Sequence, residues 1–257
     1  MQKLNNLNKK LHICQQKMLQ PVYDSNNIYE IGVDEAGRGP LFGRLYVAAV
    51  IVPKIEIGPA NIHVKKSGKS ALPISWTDIK DSKKIKSKEK MARCAEFIEK
   101  NAVAYSVQFI EHERIDEINI RQAVFEGMHN CIREVVNKLN TLSENTLTKD
   151  IFLLVDGNDF KPFRTYVTET EEIVTLPYTT VEGGDNKYLA IAAASILAKH
   201  SRDTYILELC QQNPLLDEMY GLSKNMGYGT KLHLEGIVKY GITQWHRKTY
   251  GICKHNL

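Results

Sequence analysis

Apolar positions along this 257-residue chain change period several times. From Ile28 to Val33 and from Leu45 to Val52 β-branched and apolar residues dominate, with Gly37, Gly39, Pro40 and Gly43 between them. That pattern predicts two strands joined by a glycine-rich turn. Residues 54–82 carry Gly58, Pro59, Gly68 and Pro73 with no sustained period, which predicts a long loop. Ser87 opens a helix running to Asn101, and the alternation in AVAYSVQFI predicts a third strand over 102–110. Ile120, Ala123, Val124, Met128, Cys131, Ile132, Val135 and Leu139 recur at helical spacing, so 119–140 is a helix. IFLLVDGN is a continuous apolar run of the kind buried central strands show, and it ends abruptly at Asp156. A β-rich segment over 173–181 precedes GGDNKYLAIAAASILAKHSRDTYILELC, a helix whose small residues permit close packing on a sheet and whose start is marked by Asp185. A last helix spans Lys231 to Tyr240, and no internal repeat is present. Strands alternating with helices place the chain in the α/β class.

Composition narrows this picture without deciding it. The length suits one substantial domain with a smaller appendage, and 43% hydrophobic residues is ordinary for a globular protein. The longest apolar runs, such as YVAAVIV at 46–52, fall far short of the ~18 residues of a membrane span. A soluble, cytoplasmic protein is expected. Five cysteines, at 14, 94, 131, 210 and 253, form no CxxC pair, so neither a zinc ribbon nor a disulfide framework is indicated. Net charge is +4 and the pI about 8.6, a surplus that allows a polyanionic partner without demanding one. Its distribution says more, because KDSKKIKSKEK at 80–90 holds six lysines against two acids. Standing alone, that run reads as a solvated face. The first twenty residues are rich in Lys and Asn and space Leu4, Leu7 and Leu11 helically, but carry neither the arginine of a transit peptide nor a signal core.

Four acids stand out by position: Asp34, Glu35, Asp156 and Asp185. Asp185 is open to two readings, a helix N-cap or a ligand. Asp156 in Asp-Gly-Asn is equally a turn residue or a ligand, since the Asp159-Phe160-Lys161-Pro162 that follows is a poor second strand for a hairpin. Asp34-Glu35 is harder to explain structurally, because two adjacent anions at the end of an apolar strand resist desolvation unless a cation joins them. If the strands ending at Asp34 and Asp156 are neighbours, both acids project toward one place. Hard oxygen donors with no histidine or cysteine motif favour Mg²⁺ or Mn²⁺ over zinc. A nucleotide-binding loop at Gly37-Arg38-Gly39 is disfavoured, because Phe42 stands where a third glycine belongs and a strand follows instead of a helix.

DEAGRGP at 34–40, DSKK at 81–84, LVDGN at 154–158, GGD at 183–185, AASILAKHSRD at 193–203 and GYGT at 227–230 together resemble type 2 ribonuclease H, in the single-chain prokaryotic form, ribonuclease HII. The resemblance spans roughly residues 28–250. It implies a ribonuclease H-like fold with a mixed central sheet flanked by helices and a smaller helical C-terminal region. The corresponding division is an extension over 1–27, a catalytic domain over 28–210 and a helical region over 211–257. It implies cleavage of the RNA strand of RNA–DNA hybrids and incision at single ribonucleotides in duplex DNA. Catalytic, metal-holding carboxylates fall on Asp34, Glu35, Asp156 and Asp185, with two Mg²⁺ or Mn²⁺ ions during catalysis. Gly37, Arg38 and Gly39 match the family's ribose reader, Tyr228 the tyrosine that packs on the neighbouring sugar, and Lys83, Lys84 and Lys199 positions that contact phosphate. A monomer with no obligate protein partner is expected. Leu41 and Phe42 stand where small residues are usual after the reader, and Arg44 is also unexpected, which predicts altered packing behind the reader turn. The segment 54–79 looks longer than usual. Asp185 stands where the related type 3 enzymes typically carry Glu; a type 3 enzyme, which would cut a hybrid but fail at a lone ribonucleotide, is the first alternative. A hybrid-binding protein without catalysis is the alternative from another class.

Overall fold

The computed structural model describes residues 19–54, 73–142, 148–167 and 170–256. The leucines of the N-terminal stretch and most of the expected long loop lie outside them. Seven strands are present among the described residues: β1 Tyr29–Ala36, β2 Leu45–Ile51, β3 Ala104–Ile110, β4 Ile151–Asp156, β5 Arg164–Val167, β6 Glu172–Thr175 and β7 Tyr178–Val181. Five form a sheet in the order β3-β2-β1-β4-β7, antiparallel between β1, β2 and β3 and parallel between β1, β4 and β7, whereas β5 and β6 form a separate hairpin. Helices α1 Lys88–Asn101, α2 His112–Leu142 and α3 Leu189–Gln212 flank the sheet, and the short helices α4 Pro214–Tyr220, α5 Leu222–Asn225 and α6 Lys231–Tyr240 follow.

Both faces of the sheet are covered, which is why β2 and β4 read as unbroken apolar runs. Ile31, Val33, Val47, Leu153 and Val155 face the apolar side of α2, with Val124, Met128, Cys131 and Val135. Ala48 and Val50 face α1 and α3 through Met91, Ile98, Ala193 and Leu197. The small residues of α3 bring it unusually near β1: a Cβ placed on Gly32 would lie 2.2 Å from the Ala190 carbonyl carbon. A third apolar cluster of Phe42, Ile206, Tyr220, Leu222 and Ile237 joins α3 to the C-terminal helices and the turn after β1.

Three expectations shift. Helix α2 begins at His112 and is interrupted at Asn119, whose φ of 65° breaks the helical path. The Asn119 side chain accepts from the Arg121 and Gln122 backbone N–H groups, so the helix predicted from 119 is its recapped second part. The single β-rich segment over 173–181 is two strands with different partners, divided at Pro177, which has no N–H but accepts from Leu153. Strand β5 went unpredicted because it is short and largely exposed.

Candidate active site

The parallel register of β1 and β4 runs from Tyr29↔Ile151 to Val33↔Val155, so Asp34 and Asp156 are the next residues on two adjacent strands. Asp34 is 5% exposed, and its Oδ1 accepts from the Glu35 N–H at 2.7 Å. Asp156 Oδ1 accepts from the Gly184 N–H at 2.7 Å, which ties the turn bearing Asp185 to the end of β4. Asp185 is 2% exposed and sits in a 3₁₀ turn, Gly184–Asn186. It does not cap α3, which starts at Leu189 after Tyr188 with no side-chain cap. The N-cap reading of Asp185 is therefore ruled out. Asp156 makes no hairpin turn either, because its strand pairs in parallel on both sides.

These acids meet electrostatic resistance. Burial, then Glu35 and Asp156, holds the Asp34 carboxyl well above the usual carboxylate range. Burial raises Glu35 too, with Arg38 opposing and Asp156 adding. Burial and then Asp81 raise Asp185, against Lys83. Asp185 Oδ2 is buried with no hydrogen-bond partner, and its nearest cation is Lys83 Nζ at 3.6 Å. Lys83 loses some charge preference to burial but gains more from Asp185, Asp34, Asp81 and Asp156, so its pKa is raised. Four oxygen-donor acids with an orphaned buried oxygen fit a hard divalent cation.

A cleft of about 250 Å³ opens over Asp34, Glu35 and Asp156 and is walled by Gly37, Arg38, Gly39, Lys83, Lys199 and Tyr228. Gly37 adopts φ +102°, and a Cβ there would meet Arg202 Nε at 2.5 Å, so only glycine fits. Gly39 carries no Cβ either, and one built there would touch Tyr228 Cε1 at 3.7 Å. Tyr228 is 48% exposed, on the cleft wall instead of in the core. Arg38 reaches back to Glu35 at 3.3 Å. Lys84 is not part of the lining; it bonds Asn186 and approaches Asp81. Lys199 lines the cleft but is paired with Asp203 at 2.7 Å. Ser82, Ser195, Arg202 and Asp203 also line it, and none was assigned a role from sequence although all four lie inside the quoted motifs. The Ser82 and Ser195 hydroxyls bond at 2.9 Å, which fastens the lysine-rich segment to α3. Arg44 does not disturb the reader turn: its guanidinium lies between the Phe109 and Tyr205 rings and grips Glu111. Phe42 fills the third apolar cluster.

Among the described residues Glu111, His112 and Glu113 bring three ligand atoms within 4.8 Å of one another, closer than any three of the four acids above. Glu111 there is already neutralised by Arg44 at 2.7 Å, and the cluster lies in a different cleft.

The model of the family described as ribonuclease HII matches residues 31–253. The chain belongs to the ribonuclease HII family. It is 38% identical over 240 residues to the ribonuclease HII of Parabacteroides distasonis, covering 93% of this chain and 98% of that one. It is 39% identical over 235 residues to that of Bacteroides thetaiotaomicron, covering 91% and 95%. In structure it is similar to the ribonuclease H2 of Pyrococcus horikoshii, with a TM-score of 0.59 at 21% identity over 88% of this chain and 96% of that one. Membership in the ribonuclease HII family makes the chain a nuclease, a hydrolytic enzyme. No helix among the described residues is long and apolar enough to cross a membrane.

Proposed function

We propose that the chain is a divalent-metal-dependent endonuclease that cuts the RNA strand of RNA–DNA hybrids and incises duplex DNA on the 5′ side of a single ribonucleotide. The observation that carries this reading is the adjacency of Asp34, near the end of β1, and Asp156, at the end of β4, on two paired strands beneath a cleft walled by Gly37, Gly39 and Tyr228. Asp34, Glu35, Asp156 and Asp185 would hold Mg²⁺ or Mn²⁺, two ions during catalysis. Bound there, the metal lowers the pKa of water and neutralises charge on the phosphate and leaving oxygen.

The chain's own residues orient the substrate around that point. Gly37 and Gly39 expose backbone groups that can meet a 2′-hydroxyl, the feature that distinguishes RNA from DNA. The Tyr228 ring packs on the adjoining sugar. Lys83, Lys84 and Lys199 contact phosphates without reading sequence, with Lys199 exchanging its Asp203 partner for phosphate. Arg38 holds the Glu35 carboxylate in place. Water oxygen bonds to phosphorus as the bond to the 3′-oxygen of the preceding nucleotide breaks and that oxygen takes up a proton. The products are a 3′-hydroxyl and a 5′-phosphate. The protein acts in the cytoplasm as a monomer.

The test is to replace Asp34, Glu35 and Asp156 by their amides, and Asp185 by Asn, one at a time, and to measure hybrid binding and cleavage separately. Each change is expected to remove cleavage and leave binding largely intact. Undiminished turnover in Asp34→Asn would overturn the assignment.

A further inference from the structure

The segment Thr243–Arg247 holds both walls of the cleft from behind, and does so through fully buried polar side chains. His233, His246 and Arg247 are 0% exposed. They sit among Phe42, Tyr220 and Trp245, with the His246 ring edge-on to Phe42 at 5.0 Å and to Tyr220 at 5.1 Å. Such groups are costly to bury unless their donors and acceptors are used, and of their polar atoms Arg247 Nη2 alone lacks a partner.

The hydrogen bonds leave no freedom in the placement of protons. His246 Nδ1 accepts from the Thr243 backbone N–H at 2.9 Å, so a neutral His246 carries its proton on Nε2. His233 Nδ1 faces the Tyr228 carbonyl at 3.0 Å, an acceptor only, so His233 carries its proton on Nδ1. The remaining contact, Nε2 to Nε2 at 3.1 Å, is then a donation from His246 to His233. The result is a directed chain from the Thr243 backbone through two imidazoles to the Tyr228 carbonyl. Burial keeps both rings neutral, as the chain requires. The next residue serves the opposite wall: Arg247 donates from Nε to the Gly43 carbonyl at 2.9 Å and from a terminal nitrogen to the Arg38 carbonyl at 3.1 Å. Backbone bonds from Leu41 N–H to the Gly227 carbonyl and from Gly43 N–H to the Trp245 carbonyl, each 2.9 Å, close the bracket.

We infer that His233 and His246 are positioning residues for Tyr228, fixing its carbonyl and hence the spacing between its ring and the Gly37–Gly39 turn. That spacing sets how well a single ribonucleotide flanked by DNA is gripped. This inference rests on the ribonucleotide-incising reading above. Neither imidazole touches substrate; each acts through Tyr228, whose ring is the exposed part of the device.

The experiment compares kcat/KM on duplex DNA holding one ribonucleotide with kcat/KM on a continuous RNA–DNA hybrid. His233→Leu keeps much of the volume but loses the donor; His233→Asn keeps a donor where Nδ1 stood. His233→Leu is expected to lose about tenfold on the single-ribonucleotide duplex relative to the hybrid, as small misplacements of positioning groups do. His233→Asn is expected to restore most of that ratio, and in a Tyr228→Ala background His233→Leu is expected to add nothing. Equal loss on both substrates, or a full additional loss in the Tyr228→Ala background, would show a merely structural role and overturn the inference. Nitrogen NMR of the histidines in the intact protein reads the network without any activity, with His233 expected as the Nδ1–H tautomer and His246 as Nε2–H. Reversed tautomers overturn the network whatever the enzyme cuts. Correct tautomers in a protein that fails to incise would instead locate the failure in the function reading.

Discussion

Replacing Asp34 by Asn should stabilise the metal-free protein while destroying its activity. Asp34 and Asp156 follow the paired Val33 and Val155 on neighbouring strands, which lie about 4.8 Å apart in a sheet. Two unit charges at about 5 Å in an effective dielectric of about 20 repel by roughly 3 kcal/mol. Asp34 bears that repulsion on top of a burial cost, and both act on its ionised form. Asn keeps the oxygen that accepts from the Glu35 N–H and carries no charge. Allowing for relaxation, a gain of about 2 kcal/mol is expected, a rise in Tm of about 4–8 °C for a chain of this size. The pH dependence follows from the sign of the shift. The raised pKa means the folded state binds the Asp34 proton more tightly than the unfolded state, so the contribution of Asp34 to stability in chelator is greatest in acid. It declines as pH rises from the ordinary carboxylate value of 3.8 through the higher folded value, and Asp34→Asn should flatten that decline. Added Mn²⁺ should reverse the ranking, because an ion at a hundred times its Kd contributes about 2.7 kcal/mol to the wild type alone. The assay is thermal unfolding with chelator and with Mn²⁺. A lower Tm for Asp34→Asn in chelator, or equal stabilisation of both proteins by Mn²⁺, would refute the reasoning.

Further predictions address other parts of the molecule. His246, pushed down to about 3 by burial, is neutral when folded but ordinary when unfolded; its contribution is complete above about 6.5 and is lost as pH falls toward 3, with a slope of at most about 1.4 kcal/mol per pH unit. Urea denaturation between pH 7 and 4 reads this slope, and a His246→Gln protein should lack it. Gly37→Ala forces a side chain into positive φ and against Arg202, so about 2–3 kcal/mol of stability and most single-ribonucleotide incision should be lost; unchanged values for both would remove the steric claim. Lys83→Ala should weaken binding of all duplexes alike and reduce the slope of log affinity against log salt by about one, measured by fluorescence anisotropy.

How much was legible in the sequence depended on how local each cause is. The strands carrying Asp34 and Asp156 were visible because a strand buried on both faces must be apolar throughout, and an acid toward its end stands out against that run. The close seat of α3 on β1 was visible in its run of alanines, which Gly32 completes from the other side. Asp185 was ambiguous because a residue just ahead of a helix looks like a cap; only its bond-free oxygen and the later start of α3 separate the readings. The interruption at Asn119 and the hairpin of β5 and β6 were not visible, since one depends on a single residue at positive φ and the other on short, exposed strands. Tyr228 could not be placed by pattern, because a lone aromatic in a glycine-bounded turn reads as core, and the cleft wall it shares with Gly37 and Gly39 is formed by a turn far away in sequence. His233 and His246 left no signal at all. Their partners are the Thr243 backbone N–H and hydroxyl, a backbone carbonyl and each other, and no local pattern of residue types announces these contacts.

The central claim is that the four carboxylates hold the metal that drives incision beside a ribose. The most direct measurement is to incubate the purified protein with duplex DNA carrying one ribonucleotide, in Mg²⁺, in Mn²⁺ and in chelator, and to map the cut and its ends. Metal-dependent incision immediately 5′ of the ribonucleotide is expected, leaving a 3′-hydroxyl and a 5′-phosphate, with none in chelator. Cleavage of a long RNA–DNA hybrid with the single ribonucleotide untouched, or incision that persists in chelator, would contradict it.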